Sequence, residues 1–128
     1  ISNMLSKNVN ILFEIDLDPK EVLNFIKLFN NERFGINYDT GNSSSLGYKF
    51  DIEMNYYYKF IKNIHIKDRL LYSYSVQLGN GNFDFINFKN FLINNNYKGV
   101  FVLQTARGPT SDDLENLKIN RNFLLKLN

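Results

Sequence analysis

Cysteine is absent from the 128 residues, which excludes disulfides and thiolate chemistry and is compatible with a reducing cytosol. Histidine occurs once, at position 65, which disfavours multi-zinc hydrolase chemistry. No apolar run approaches the roughly 18 residues needed to span a bilayer, and Ile1 to Asn10 has no charged-then-apolar secretory pattern. Nor is there a block of one charge. The 15 Lys and Arg residues and the 13 Asp and Glu residues alternate along the chain, whereas nucleic-acid and anionic-membrane binding both call for clustered cations. The expectation is a soluble cytoplasmic protein with neither nucleic acid nor membrane as a partner.

What is present is a core and a repeat. Hydrophobic residues make up 44% of the chain, enough for one domain with a real interior. The abundance of Asn, Ile, Lys, Phe and Tyr reads as a coding bias toward A and T, because hydrophobic periodicity persists throughout. Four times a short apolar run leads through polar residues to a segment with helical spacing of large apolar side chains. The strands are expected at about 10–15, 34–38, 62–67 and 100–104. After the first, Asp18 can cap a helix with Pro19 in its first turn and Glu21 at the capping-box position, and Val22, Ile26 and Phe29 share one face. After the second, a Ser/Gly loop leads to a helix near 51–60 with Ile52, Tyr56 and Phe60 as its buried stripe. A long loop with Gly79 and Gly81 follows the third, then a helix capped by Asp84 and bearing Phe85, Phe88 and Leu92. A last helix, starting at Ser111, carries Leu114, Leu117 and Leu124.

Strands alternating with helices argue for a parallel sheet with right-handed crossovers. A complete (βα)8 TIM barrel takes about 250 residues, so four units need about half that. A small doubly wound sheet fits the same pattern, but it does not explain why every strand ends in a polar cluster. The fold class expected is therefore α/β, a parallel (βα)4 segment equal to the C-terminal half of a (βα)8 TIM barrel. In such barrels functional side chains gather where the strands end. Those ends carry Glu14 with Asp16, Asp39 with Asn42, His65 with Lys67, and Gln104 with Arg107. Acids, an imidazole and an amide in one ring suit a divalent cation such as Mn2+ or Zn2+, possibly Mg2+. Each residue keeps a second reading from spacing alone: Glu14 as a solvated acid, Asp39 as a brace for the turn before Gly41, His65 as a satisfied core histidine.

Five segments occur in an order that resembles a known family: Phe13-Glu14-Ile15, Asn37-Tyr38-Asp39-Thr40-Gly41-Asn42, Ile64-His65-Ile66-Lys67-Asp68-Arg69, Leu78 through Phe85, and Tyr97-Lys98-Gly99-Val100-Phe101. They are similar to the last four βα units of the xylose-isomerase-like TIM barrels, which include hexulose-phosphate isomerases, ribulose-phosphate 3-epimerases and tagatose 3-epimerases. The resemblance implies a divalent metal held by Glu14, Asp39, His65 and the residue at 104, with two glutamates as acid/base groups on a sugar. Position 104 departs from the pattern. Gln104 can offer an amide oxygen to a cation but cannot shuttle a proton. The implied activity is isomerisation or 3-epimerisation of a monosaccharide or sugar phosphate, with Glu14 as the catalytic carboxylate; the alternative is a non-catalytic sugar-binding relative. Lys67, Arg69 and Arg107, with the backbone of Gly79 and Gly81, are candidate substrate or phosphate contacts. Half a barrel has open strand edges, so an N-terminal half-barrel or a second copy of the chain is the expected partner.

Overall fold

The computed structural model describes residues 9–127; apart from Val9 and Asn10, the segment read for a secretory pattern lies outside them. Strands β1 (Ile11–Phe13), β2 (Phe34–Asp39), β3 (Ile61–Ile66) and β6 (Val100–Leu103) form one sheet in the order β1-β2-β3-β6, with every pairing parallel. Helices α1 (Pro19–Ile26), α3 (Phe50–Tyr57), α4 (Phe85–Asn94) and α5 (Asp113–Leu125) connect or follow these strands. A six-residue helix, α2 (Thr40–Ser45), starts where β2 ends. Strands β4 (Asp68–Arg69) and β5 (Ser75–Val76) make an antiparallel hairpin inside the long loop after β3. Among the described residues no helix is long and apolar enough to cross a membrane.

The alternation of side chains along the strands gives the sheet two unlike faces. Ile36, Tyr38, Ile64 and Ile66 point toward the helices and are buried with Val22, Ile26, Phe50, Met54, Tyr57 and Phe88. Asn37, Asp39, Asn63 and His65 take the other face. Phe50 anchors the helical layer through edge-to-face contacts with Phe83, Phe88 and Phe91, at centroid separations of 6.0, 5.6 and 5.3 Å. Pairing jumps from Ile36 opposite Ile61 to Asn37 opposite Asn63, a bulge that leaves Lys62 unpaired. A side chain at Gly35 would press on Lys62, so glycine there accommodates the bulge.

Two expected helix faces are wrong. Ile52 and Tyr56 are 48% and 38% exposed, and Phe60 lies in a short 3-10 turn after α3. The buried face is Phe50, Glu53, Met54 and Tyr57, because the helix begins a residue early and buried hydroxyls draw Glu53 inward. In α5, Leu114 and Leu117 are exposed while Asn116 and Asn120 are buried. Asn116 exchanges hydrogen bonds with Thr110, and Asn120 donates to Thr105 and the Asn116 carbonyl, so amides close the loop where apolar contacts were expected. The caps at Asp18 and Asp84 form as read, and Asp112 rather than Ser111 caps the last helix.

Asp68 organises the long loop. Its side chain is fully buried and accepts four backbone N–H groups: those of Gly79 and Gly81 at 2.9 Å on Oδ2, and those of Arg69 and Phe83 at 3.0 and 3.2 Å on Oδ1. Gly79 has φ +88, and a side chain at Gly81 would collide with the Asp68 carboxylate, so both glycines are required by this wrap. Replacing Asp68 with Ala strands these donors and is expected to cost about 3 kcal/mol or more, measured as a lower denaturation midpoint.

Glu53 is the other buried acid. Tyr38 donates to its Oε2 at 2.8 Å, Tyr57 to its Oε1 at 2.6 Å, and Ser43 also donates to Oε2. Burial raises its carboxyl above the ordinary 4.5, and the hydroxyls of Ser43, Tyr57 and Tyr38 pull it partly back. The folded protein therefore binds this proton more tightly than the unfolded chain. The stabilisation is complete below 4.5 and is lost as pH rises through the higher folded value. Denaturation midpoints of the parent should fall across that window relative to Glu53→Gln, which lacks the titration; parallel curves would refute the assignment.

Candidate metal centre

Three elements that are adjacent in the sheet bring Glu14, Asp39 and His65 together. Register pairs Asp39 with His65, and parallel partners share a face. Leu12 pairs with Gly35, so alternation sends Glu14, just past the end of the short β1, to the face of Asn37 and Asp39. One ligand atom from each of Glu14, Asp39 and His65 lies within 4.8 Å of the others. His65 Nδ1 is 3.3 Å from Glu14 Oε2 and 4.0 Å from Asp39 Oδ2.

Asp39 has two roles, one for each oxygen. Oδ1 accepts the Asn42 backbone N–H at 2.8 Å and so caps α2. Oδ2 is buried and has no hydrogen-bond partner; Lys67 Nζ is 3.6 Å away. Both readings of Asp39 thus hold at once, as turn brace and as cluster member. The end of β3 is tied to the same turn: Lys67 N donates to Thr40 Oγ1 at 2.9 Å, and Thr40 donates to the Lys67 carbonyl at 2.6 Å. A side chain at Gly41 would strike Lys67 Cγ at 2.7 Å, so glycine lets the lysine lie across the turn.

Two asparagines grip Glu14. Asn37 Nδ2 donates to Oε2 at 2.7 Å and lies 3.1 Å from His65 Nδ1; Asn42 Nδ2 donates to Oε1 at 3.1 Å. Asn63 Nδ2 in turn donates to Asn37 Oδ1 at 2.6 Å. Asn37 and Asn63 were not picked out from the sequence. Each stands two residues before a recognised site residue, and strand alternation alone assigns them to its face.

The donor set fits a divalent cation. Two carboxylates and an imidazole suit a hard or borderline metal. A buried carboxylate oxygen without a hydrogen bond is costly unless something satisfies it. Bonds of roughly 2.1 Å put donor atoms no more than about 4.2 Å apart, so a small contraction of the cluster would close it around an ion.

The remaining candidates are arranged less tightly. Arg69 is held by the Ser73 carbonyl through Nε and Nη2, and its Nη1 donates to Asn42 Oδ1 at 3.1 Å, one residue from the cluster. The amides of Gly79 and Gly81 are engaged by Asp68 and are directed into the loop. Gln104 is exposed past the end of β6. It lies two residues beyond Val102, the partner of His65, and so on the site face. Arg107 is also exposed; neither side chain makes a hydrogen bond or ion pair among the described residues.

The chain matches the family described as Xylose isomerase-like TIM barrel over residues 1–127. None of the curated proteins compared with it matches. Among solved structures it is similar to a xylose isomerase domain protein from Planctomyces limnophilus, with TM-score 0.74 and 20% identity over 93% of this chain and 44% of that one. It is similar also to a D-tagatose 3-epimerase-like protein, with TM-score 0.66 and 19% identity over 92% of this chain and 47% of that one. The chain thus spans less than half the length of these two structures. A four-stranded parallel sheet with outer helices, matched over nearly all of its length, makes this chain a member of the xylose isomerase-like TIM barrel family and part of such a barrel.

Proposed function

We propose that the chain supplies the metal-binding half of a metal-assisted isomerase or epimerase acting on a monosaccharide or its phosphate. The observation that supports this most is the convergence of Glu14, Asp39 and His65 around Asp39 Oδ2, a buried oxygen that accepts no hydrogen bond. These three residues would hold the cation, Mn2+ or Zn2+ by donor type and possibly Mg2+, with Gln104 as a fourth, neutral oxygen donor. Such an ion, when bound, supplies a Lewis acid for the substrate's carbonyl and adjacent hydroxyl oxygens.

The chain's own residues do the rest. Glu14 is the carboxylate that removes a proton from the carbon beside the carbonyl. Asn37 and Asn42 hold its two oxygens, which orients the base before substrate arrives. Gln104 has no titratable proton, so a second carboxylate is missing from the position where two-base chemistry needs it. A single base that takes and returns the proton on one face fits aldose–ketose isomerisation better than inversion at a carbon. Lys67 and Arg69 provide charge for a hydroxyl-rich or phosphorylated ligand, Arg69 from behind Asn42 and Lys67 from beside Asp39; Arg107, exposed in the loop after β6, is a further candidate contact. The Gly79 and Gly81 amides have no part in this pocket. A cytoplasmic location belongs to the same reading. Gln104 also favours the second reading, a barrel relative that binds sugar without turning it over.

Partnership follows from the edges. β1 and β6 are the outer strands of the sheet, and Val100, Phe101 and Val102 are 62%, 49% and 41% exposed. An N-terminal half-barrel, or a second copy, would cover them. The isolated chain should therefore associate in light-scattering measurements; a stable monomer at micromolar concentration would count against this.

Calorimetric titration with Mn2+ should give one ion per chain, and Asp39→Asn should abolish it. In the intact protein Glu14→Gln should lower sugar isomerisation at least about 100-fold. Undiminished turnover in that variant would remove Glu14 from its role, while metal and sugar binding without turnover in the parent would establish the second reading.

A further inference from the structure

Glu53 lies on the helix side of β2, across the strand from Glu14, and no step of the proposed chemistry uses it. Its three partners are hydroxyls, and no cation pairs with it among the described residues. Two of those partners, Tyr38 and Ser43, are the sequence neighbours of Asn37 and Asn42. Asn37 and Asn42 are the two residues whose side chains grip Glu14. One carboxylate thus holds Tyr38 and Ser43 from behind, and the other is held by Asn37 and Asn42 in front. Tyr38 and Ser43 also contact each other at 3.0 Å, which closes the rear cluster. A cavity of about 20 Å³ lined by Glu14, Asp39, Asn42, Ser43, Glu53 and Tyr57 joins the two sides, and it is large enough for about one water.

The helix that links these groups is weak by itself. α2 has six residues of sequence Thr-Gly-Asn-Ser-Ser-Ser, a run of poor helix formers. Asp39 caps its start, and the Ser44 hydroxyl donates to the Gly41 carbonyl at 3.1 Å. The Ser43 hydroxyl links its body to the Glu53 carboxyl in the packed layer behind. The Asp39 cap and Arg69 hold Asn42 from its N-terminal and outer sides, and the Ser43 link holds the next residue from behind, so cutting it loosens the position from which Asn42 meets Glu14.

We infer that Glu53 is a positioning residue for Glu14, acting through Ser43 on Asn42 and through Tyr38 on Asn37. The inference rests on the reading of Glu14 as the site's acid/base group, but its test does not depend on metal or turnover. The side-chain amide signals of Asn37 and Asn42, read by NMR on 15N-labelled protein, report the grip directly.

Glu53→Ala should move both pairs of signals toward solvent-exposed values and speed their hydrogen exchange, and Glu53→Gln, which keeps an acceptor and the volume, should restore them. Each arm can be read alone: Ser43→Ala should displace the Asn42 signals more than those of Asn37, and Tyr38→Phe the reverse. These milder variants decide the matter should Glu53→Ala fail to fold. Tyr57→Phe, which removes the donor leading to neither asparagine, should lower stability and leave both signals in place. Unmoved amide signals in folded Glu53→Ala, or equal displacement in Tyr57→Phe, would overturn the proposal. In a parent that binds Mn2+, Glu53→Ala should weaken binding about tenfold, as outer-shell changes do. A parent that binds no Mn2+ while its amide signals respond would overturn the metal reading and support this clamp.

Discussion

The divided carboxylate of Asp39 is the constraint on which the site depends. A residue that ends a buried strand must either continue the backbone or stop it, and Asp39 stops it by accepting the Asn42 N–H with one oxygen. That single bond starts α2, turns the chain across the strand ends, and places Asn42 against Glu14. The second oxygen is buried and accepts no hydrogen bond; the Lys67 ammonium stands 3.6 Å away, with an imidazole and another acid beside it. The geometry of the cap is what aims the second oxygen into the cluster.

Much of this was legible because periods of two and of 3.6 survive in the sequence. Ile64 and Ile66 against His65, or Tyr38 against Asp39, sort themselves by alternation alone, and the structure keeps that sorting. Helix caps at Asp18 and Asp84 were legible for the same local reason: an acid four or fewer residues before an apolar stripe satisfies free N–H groups. The ends of the strands shifted by one or two residues, and β1 shrank to Ile11–Phe13, without moving Glu14 off its face.

What could not be read depends on polar groups that are buried by partners far away in sequence. α2 has a loop's composition and is held as a helix by its polar partners: Asp39 caps it, Thr40 is tied to Lys67, and Ser43 donates to Glu53. Glu53 itself looks like a solvated helix acid; it is buried because Tyr38, Ser43 and Tyr57 surround it, and no hydrophobic count finds it. The same holds for Asn116 and Asn120, which occupy the face where Leu114 and Leu117 were expected. The glycines of the long loop suggested an anion site, and an anion does occupy their amides. It is Asp68, eleven and thirteen residues before them, and nothing in the spacing separates an internal carboxylate from an external phosphate.

The site face also indicates what the rest of a barrel has to provide. It is polar across β1, β2 and β3, through Glu14, Asn37, Asp39, Asn63 and His65, and turns apolar and exposed at Val100 and Val102. Below the cluster the Asn63 side-chain oxygen is buried and without a hydrogen bond among the described residues, although its amide nitrogen donates to Asn37 Oδ1. A closed barrel therefore needs apolar side chains facing β6 and one donor reaching across to Asn63. At the rim Gln104 contributes no charge, so under the proposed function the acid/base chemistry of this half would rest on Glu14 alone. A second proton-transfer group would then come from the strands that complete the barrel, and the stereochemistry of the proposed reaction would be decided by which face of the sugar that group meets.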